Sequence, residues 1–96
     1  MKTAYIDLVR FVLKQNMTVS VWDGEEWQVI RSKKFREIVS AVQSVEEATL
    51  KIRDESGAVM GKALVSPYGL EPDETVIDWT DNEFMEGWYT QYEAML

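Results

Sequence analysis

The sequence predicts one α+β domain: a small antiparallel sheet of two β-hairpins, with four to five strands, and three helices packed on one face. Two stretches alternate apolar and polar residues on either side of a turn-forming glycine, and three stretches repeat apolar residues at helical spacing. Along the chain they follow the order αββαββ(β)α, which is typical of helices segregated to one face of an antiparallel sheet. The 96 residues, 1–96, make a single domain with one modest core.

Residues 4–15 are predicted to form the first helix. Ile6, Val9 and Leu13 recur there at helical spacing. Thr3 is the predicted N-cap, because a threonine hydroxyl can accept a hydrogen bond from the first turn of a helix.

Residues 17–31 are predicted to form the first hairpin, with Gly24 in the left-handed conformation. A three-residue loop at 22–24 keeps the apolar side chains on one face. Its pairs are Val21 with Glu25, Val19 with Trp27, and Met17 with Val29. A two-residue loop at 23–24 would pair Val21 with Glu26 and mix the two faces, so we expect the three-residue loop.

Ser32 is predicted to open the second helix, which runs to about Ser44. Its apolar stripe consists of Phe35, Ile38, Val39 and Val42. The segment RSKKFR at 31–36 is the one basic cluster in the sequence. Four charges at the first turn of a helix in an acidic protein are typical of a solvated face, or of pairing with acids elsewhere in the chain, so we expect no nucleic-acid site there.

The second hairpin is predicted over residues 47–66, with a turn that Asp54 starts and a bulge at Gly57. On its first strand, core positions alternate with a basic or polar face. The core positions are Ala48, Leu50 and Ile52, and the polar positions are Thr49, Lys51 and Arg53. The second strand is apolar on both faces, so we expect it in the interior of the sheet.

Residues 75–79 are predicted to form a short edge strand. Thr80 and Glu83 fit a capping box, so the third helix is predicted to start there. Its apolar stripe consists of Phe84, Trp88, Tyr92 and Met95. Gly87 costs about 1 kcal/mol in a helix interior, which indicates either the close approach of another segment or a fraying tail.

The residue types that are absent exclude several function classes. The sequence has no cysteine and no histidine, which removes disulfides, thiolate zinc sites, thiol nucleophiles and the commonest general base. Carboxylate pairs such as Asp73 with Glu74, or Asp78 with Asp81, could hold magnesium, but acids occur throughout this region and their spacing is not specific. No EF-hand or phosphate-binding loop pattern is present. We therefore predict no enzyme, no metal and no cofactor.

Charge is distributed unevenly along the chain. Residues 63–96 hold eight carboxylates and no basic side chain, a net charge of −8, whereas residues 1–62 have a net charge of +1. Six aromatic residues in the same C-terminal third indicate that it is folded. The overall charge of −7 disfavours direct binding to nucleic acid or anionic lipid and favours a basic protein partner. With neither a signal peptide nor a membrane span predicted, we expect a soluble, cytoplasmic protein.

Acidic and aromatic residues of the C-terminal third predict a partner-binding site. Glu83, Glu86 and Glu93 would span about 15 Å on the third helix, long enough to follow several phosphates of one strand. Such a surface could occupy the basic groove of a nucleic-acid enzyme by mimicry, although acids on an amphipathic helix also serve solubility. The complete predicted set is Asp73, Glu74, Asp78, Trp79, Asp81, Glu83, Glu86, Tyr89 and Glu93.

The four tryptophans are predicted to divide between core and surface. Trp27 and Trp88 lie on apolar faces and are expected in the core. Trp22, at a loop, and Trp79, between two polar residues, are expected to be exposed. Trp79 and Tyr89 are the predicted anchors for a partner, because aromatic residues are enriched at the energetic centres of interfaces.

The stretches SVWDGEEWQV and GLEPDETVIDWTDNEFMEGW, in a small, cysteine-free, acidic chain, resemble the short accessory proteins that tailed bacteriophages make early in infection. The resemblance is one of style across the chain and carries over no site residue. Proteins of this kind commonly bind a host enzyme, such as a defence nuclease or RNA polymerase, and block or redirect it. The resemblance therefore implies an inhibitor of a basic host protein in the host cytoplasm.

The alternative function is a structural or self-associating module. In that case the apolar face of the third helix would meet a second copy in a homodimer. The sequence there ends in Ala94, Met95 and Leu96 without a polar cap, which favours burial against a partner.

Overall fold

A computed structural model describes residues 3–96 as three α-helices, five β-strands and a short 3-10 turn, in the predicted order. Pro72–Glu74 form the 3-10 turn. The helices are α1 (Ala4–Lys14), α2 (Phe35–Gln43) and α3 (Glu83–Glu93), and the strands are β1 (Thr18–Trp22), β2 (Trp27–Ser32), β3 (Ala48–Arg53), β4 (Val59–Val65) and β5 (Val76–Trp79). The α+β prediction is confirmed.

All five strands pair antiparallel, in the order β2-β1-β3-β4-β5. β4 is therefore interior and β5 is an edge strand, as predicted. In the central pair, Val19 faces Ile52 and Val21 faces Leu50, and these side chains are buried because they share the face that the helices cover. Lys51, between Leu50 and Ile52, is only partly buried and belongs to the opposite face of the sheet.

α1 contacts both other helices and β1. Its buried stripe includes Leu8 and Val12. Thr3 occupies the predicted N-cap position, but its side chain makes no capping hydrogen bond. The backbone N–H of Tyr5 instead donates to the Thr75 hydroxyl, at 3.2 Å. The segment before β5 therefore satisfies a donor that would otherwise be unpaired at the start of α1.

The first hairpin differs from the predicted register. Its loop has four residues, 23–26, and its pairs are Val19 with Ser32, Val21 with Val29, and Trp22 with Trp27. The Asp23 carboxylate builds this loop by accepting the N–H groups of Glu25 and Glu26, at 2.7 and 2.8 Å. The predicted three-residue loop is wrong, although Gly24 does take the left-handed conformation, with φ +104°.

The second hairpin follows the prediction. Asp54 starts the turn, and its carboxylate accepts the N–H groups of Ser56 and Ala58, at 2.9 and 3.0 Å. Gly57 has φ +91°, and the register shifts by one residue beyond Ile52. A local turn signal was sufficient here because every partner of Asp54 lies within four residues.

α2 begins later than predicted. Ser32 is the last residue of β2, where it faces Val19 and is buried, and α2 begins at Phe35. The Ser32 hydroxyl accepts the N–H of Lys34, at 3.0 Å, so it supports the turn that leads into the helix. The prediction that Ser32 opens the helix is wrong, because pairing with β1 keeps it in the sheet.

The N-cap of α3 is Asn82 rather than Thr80. The Asn82 side chain accepts the N–H of Met85 and donates to the Met60 carbonyl, both at 2.9 Å. The Thr80 hydroxyl accepts the N–H of Lys62, at 2.9 Å. Hydrogen bonding to β4 therefore overrides the predicted capping box and moves the start of α3.

Gly87 does not mark a close approach between segments. A Cβ built at this position meets nothing within 4 Å, so that alternative is wrong. The close approach is at Gly61 on β4, where a Cβ would lie 2.7 Å from both Cγ and Sδ of Met85. Gly61 therefore allows α3 to sit against the sheet.

Candidate functional site

The C-terminal third forms a groove between the 3-10 turn, β5 and α3. Two anchors hold these elements in place: Thr75 bonds to the start of α1, and Asn82 bonds to β4. Residues with adjacent numbers on β5 point to opposite sides of the sheet. Trp79 points toward α3, because its ring contacts the rings of that helix.

Four aromatic rings form a continuous cluster along this groove. Trp79 stacks on Tyr89, with ring centroids 4.8 Å apart and an angle of 28° between the planes, and meets Trp88 edge-on at 5.9 Å. Trp88 in turn stacks on Tyr92 at 5.6 Å. Trp88 and Tyr92 are each 1% exposed, whereas Trp79 and Tyr89 are partly exposed. The outer pair of rings is therefore available to a ligand, and the inner pair holds it in place.

Trp88 also ties the cluster to the N-terminal helix. Its indole N–H donates to the Asp7 carboxylate, at 3.1 Å, across 81 residues of sequence. A buried indole N–H needs such a partner, and a charged acceptor makes the bond stronger than a neutral one. The predicted core role of Trp88 is confirmed.

The acidic–aromatic groove is defined by the exposed rings of Trp79 and Tyr89 and by four carboxylates around them. The groove has a volume of about 460 Å³ and is lined by Asp73 and Glu74 on the side of the 3-10 turn. Glu86 and Glu93 flank Tyr89 on α3, three residues before it and four after it. Six of the nine predicted site residues therefore lie together.

The carboxylates act on the tyrosines of the groove. A hydrogen bond to Glu93 and the negative charge of that residue raise the pKa of Tyr89 above its ordinary value, and the charges of Asp73 and Glu86 act in the same direction. Burial raises the pKa of Tyr92, with a further contribution from Asp73. The groove therefore has a negative potential that favours a positively charged group beside the rings.

Three predicted site residues lie elsewhere. Asp78 faces Leu64 on β4, and so points to the opposite side of the sheet from Trp79. Asp81 is exposed in the connection between β5 and α3. Glu83 is exposed in the first turn of α3, near Met60 and away from Tyr89.

Two exposed apolar residues of the groove were missed by the sequence prediction. Leu70 is 43% exposed and Ile77 is 46% exposed, and both line the groove beside Trp79. Ile77 lies where the pairing of β5 with β4 shifts by one residue, so Val76 and Trp79 both belong to the helical side, and strict alternation along β5 could not have placed Ile77. Nothing in the local sequence distinguishes Leu70 from an ordinary loop residue.

The apolar face of α3 is already covered within the chain. Met85, Trp88 and Tyr92 are buried in the core, whereas Met95 is 45% exposed and Leu96 is 62% exposed. The predicted stripe therefore ends at Tyr92, and Met95 does not belong to it. A second copy would find Met95 and Leu96 exposed at the end of this helix, together with the partly exposed ring of Tyr89.

Other features of the molecule contain fewer of the predicted site residues. A cavity of about 580 Å³ lies beside α1 with Arg10, Phe11 and Lys14 among its lining residues, and contains none of the predicted site residues. Within residues 3–96, no group of three or more carboxylates is placed to hold a metal ion. The described helices are also all too short or too polar to cross a membrane.

Comparison of the chain with protein-family models, with curated proteins and with solved structures finds no match in any of the three.

Proposed function

We propose that this protein is a non-enzymatic binding module whose acidic–aromatic groove takes a basic segment of another protein. One observation carries the proposal: the stacked rings of Trp79 and Tyr89 are partly exposed, and carboxylates lie on both sides of them. An arginine or lysine side chain can stack on such rings while its charge meets the carboxylates.

The size and the energetics of the groove fit this occupant. A volume of about 460 Å³ lies within the range of small-ligand sites, roughly 300–1,000 Å³, and suits one or two long side chains. A cation on an aromatic ring contributes about 0.5–2 kcal/mol, depending on how well it is desolvated. Leu70 and Ile77 would contact the apolar stem of the same side chain.

The proposed consequence of binding is inhibition of a basic host protein, of the kind that processes nucleic acid or acts in defence, in the host cytoplasm. Glu83, Glu86 and Glu93 are all exposed and lie within about 80° of arc on α3, so this side of the helix presents a line of negative charge. Mimicry of a nucleic-acid strand would use this whole line. Capture of one basic side chain would use only the part that includes Glu86 and Glu93.

Three double substitutions, each removing two negative charges, separate these modes. Glu86→Gln with Glu93→Gln removes the charges beside Tyr89. Asp81→Asn with Glu83→Gln removes charges at the start of the acidic line, outside the groove. Glu46→Gln with Glu47→Gln is the matched control, because these exposed acids lie in the connection before β3.

The measurement is capture of proteins from a bacterial lysate on each immobilised variant, followed by elution with salt and identification by mass spectrometry. If only the variant with Glu86→Gln and Glu93→Gln fails to retain a basic protein that the unaltered chain retains, capture in the groove is supported. If the variant with Asp81→Asn and Glu83→Gln also fails to retain that protein, mimicry along the whole acidic line is supported. Equal capture by all three variants, or capture of no basic protein by the unaltered chain, would overturn the proposed function.

A further inference from the structure

The face of the sheet opposite the helices, called here the open face, concentrates positive charge in an acidic protein. Lys51 on β3 lies directly across from Lys62 on β4. Arg53 follows Lys51 by two residues and so points to the same side. The open face therefore carries at least three cations on two neighbouring strands, about 4.8 Å apart.

Arg31 on β2 brings a fourth cation to this face. Its backbone N–H donates to the Ser20 hydroxyl, at 2.8 Å, and Ser20 lies directly across from Lys51. The charges of Arg53, Lys62 and Arg31, together with partial burial, lower the pKa of Lys51, with Arg53 the largest cause. Lys51 is therefore close enough to each of the other three cations to be repelled by it.

None of these four cations is paired with a carboxylate in the part of the chain that the structure describes. Arg53 donates from Nη1 to the carbonyl of Gly57, at 3.0 Å, and its Nε is buried without a hydrogen-bond partner. The nearby Asp54 carboxylate is already engaged by its own turn. A buried guanidinium N–H without a partner is costly. Arg53 as a whole is only partly buried, so its terminal N–H groups are the ones that can donate to an anion on the open face.

The backbone at Arg31 is strained. Arg31 has φ +48°, in the left-handed region that residues other than glycine rarely occupy. The conformation occurs where β2 is irregularly paired with β1. Such strain persists only where the surroundings impose it, and it is frequent at binding sites.

Two tryptophans lie at one side of the open face. Trp22 and Trp27 contact each other edge-on, with ring centroids 5.1 Å apart, and the Lys51 ammonium lies 5.9 Å from the centre of the Trp27 ring. Trp27 is 41% exposed, so its predicted place in the core is wrong. An exposed indole beside a cluster of cations is suited to a ligand with both a flat ring and a negative charge.

We propose that the open face binds single-stranded nucleic acid, with bases stacked on Trp27 and phosphates held by Arg31, Lys51, Arg53 and Lys62. This ligand matches both halves of the site, since every base offers a ring face and every linkage offers a phosphate. A duplex hides its bases, and an acidic peptide offers no ring for the indole. The proposal is independent of the acidic–aromatic groove, which lies on the helical side of the sheet.

The overall charge of −7 does not prevent such binding. The prediction that direct nucleic-acid binding is disfavoured averages the charge over the whole chain, whereas a phosphate on the open face meets a local excess of cations. The protein measures 30 × 27 × 22 Å, and at 0.1 M salt charges are screened over about 10 Å. Acids on the helical side therefore act only weakly on a ligand bound here. The open face itself has Asp78 beside Lys62, and Glu55 lies near Arg31 and Arg53, so the four cations still exceed the acids next to them.

The test is fluorescence anisotropy with a labelled 15-nucleotide oligothymidylate, titrated with the protein between 20 and 200 mM salt. Neutralising four phosphates predicts a slope of log affinity against log salt of about −2.8, from about −0.7 per phosphate on a single strand. Lys51→Gln with Lys62→Gln should halve that slope and lower the affinity on the order of 50-fold at 50 mM salt. Lys14→Gln with Lys34→Gln is the control with the same change in net charge, at exposed positions off this face.

Stacking is tested separately. Trp27→Ala should weaken binding about 5- to 150-fold. Tyr68→Ala removes another exposed aromatic side chain, on a loop away from the open face, and should leave the affinity unchanged. Circular dichroism of each variant establishes that the fold is retained.

Further ligands decide between the alternatives. A 15-base-pair duplex and a 15-residue oligoglutamate should bind at least tenfold more weakly than the single strand. Equal binding of oligoglutamate would make the open face a general surface for acidic proteins, and equal binding of the duplex would eliminate base stacking. Either result, or no binding of the single strand at 20 mM salt, overturns the proposal.

Discussion

Substitution of Gly61 by alanine tests how closely α3 must approach the sheet. The added Cβ would lie 2.7 Å from both Cγ and Sδ of Met85, a separation that packed carbon atoms do not tolerate. Met85 is completely buried, so its side chain cannot swing into water to make room. Either Met85 takes a poorer rotamer within the core, or α3 moves away from β4.

The expected change in the free energy of unfolding is the sum of two opposed effects. Overpacking a core costs about 1–3 kcal/mol, whereas alanine is favoured over glycine within a strand by about 0.5–1 kcal/mol. We therefore expect Gly61→Ala to lower the free energy of unfolding by about 1–2 kcal/mol. For a domain of this size, 1 kcal/mol corresponds to about 4–8 °C, so Tm should fall by about 4–16 °C.

Gly87→Ala is the matched control on α3. A Cβ at Gly87 meets nothing within 4 Å, so the substitution should raise the free energy of unfolding by about 0.4–1 kcal/mol. Urea denaturation followed by circular dichroism measures both variants. The opposite signs are the expected result, and a Gly61→Ala protein as stable as the unaltered chain would refute the argument.

A third variant identifies the clashing partner. Met85→Ala alone should cost about 2–5 kcal/mol, as for other buried methionines. In the double variant with Gly61→Ala the clash is gone, so the combined cost should be less than the sum by at least about 0.5 kcal/mol. Because α3 carries Tyr89, the single Gly61→Ala change should also disturb its stacking on Trp79, which tryptophan fluorescence can report.

Three further changes test other parts of the fold. Trp88→Phe removes a hydrogen bond to a charged group and should destabilise by about 1.5–3 kcal/mol; if Asp7 is the acceptor, the cost should shrink in an Asp7→Ala background. Lys62→Gln removes one of two like charges facing each other across β3 and β4, so Tm should rise; an unchanged or lower Tm would contradict the repulsion. Tyr89 and Tyr92 have raised pKa values, chiefly through Glu93 and through burial respectively, so the fold favours their protonated forms. Their contribution is complete below the ordinary pKa of about 10 and lost as pH rises through the raised values, and the urea midpoint should fall over that window.

Local signals explain which parts of the fold could be predicted. The second hairpin was predicted correctly because the Asp54 carboxylate and Gly57 fix the turn within five residues. The first hairpin was not, because the strain at Arg31 and its bond to Ser20 depend on the pairing of β1 with its neighbours. The alternation of β2 alone contains no sign of that irregularity.

The start of α3 likewise depends on hydrogen bonds between residues far apart in the sequence, rather than on a local signal. Thr80 carries a good capping signal in the sequence, but its hydroxyl accepts a hydrogen bond from Lys62, eighteen residues earlier. Asn82 becomes the cap and also bonds to Met60. Tertiary hydrogen bonds therefore moved the cap from Thr80, which the sequence predicted, to Asn82, which it did not.

The part of the candidate site that lies on α3 could be predicted from helical periodicity. Glu86, Tyr89 and Glu93 are three and four residues apart, so any helix there brings them together. Asp78 was included because acids cluster in the sequence, yet strand alternation turns it away from Trp79. The cations of the open face come from three strands, and their proximity required the register of the sheet.

The separation of charge in this protein has a consequence that one experiment can measure. Four acids surround the aromatic groove on one side of the sheet, and four cations share the open face on the other, where Asp78 also lies. Like charges held together destabilise a fold, so the arrangement works against stability and is expected where ligands of opposite charge supply compensation. Added salt screens the repulsion within each cluster, and it screens the attraction of each cluster for its ligand.

Salt should therefore act in opposite directions on folding and on binding. Between 20 and 200 mM sodium chloride we expect Tm to rise, while the affinity for the oligothymidylate on the open face falls. Scanning calorimetry gives the first quantity and anisotropy the second, on the same preparation. A Tm that falls with salt would mean that attractive pairs dominate the surface, and the segregation of charge would then need no ligand to explain it.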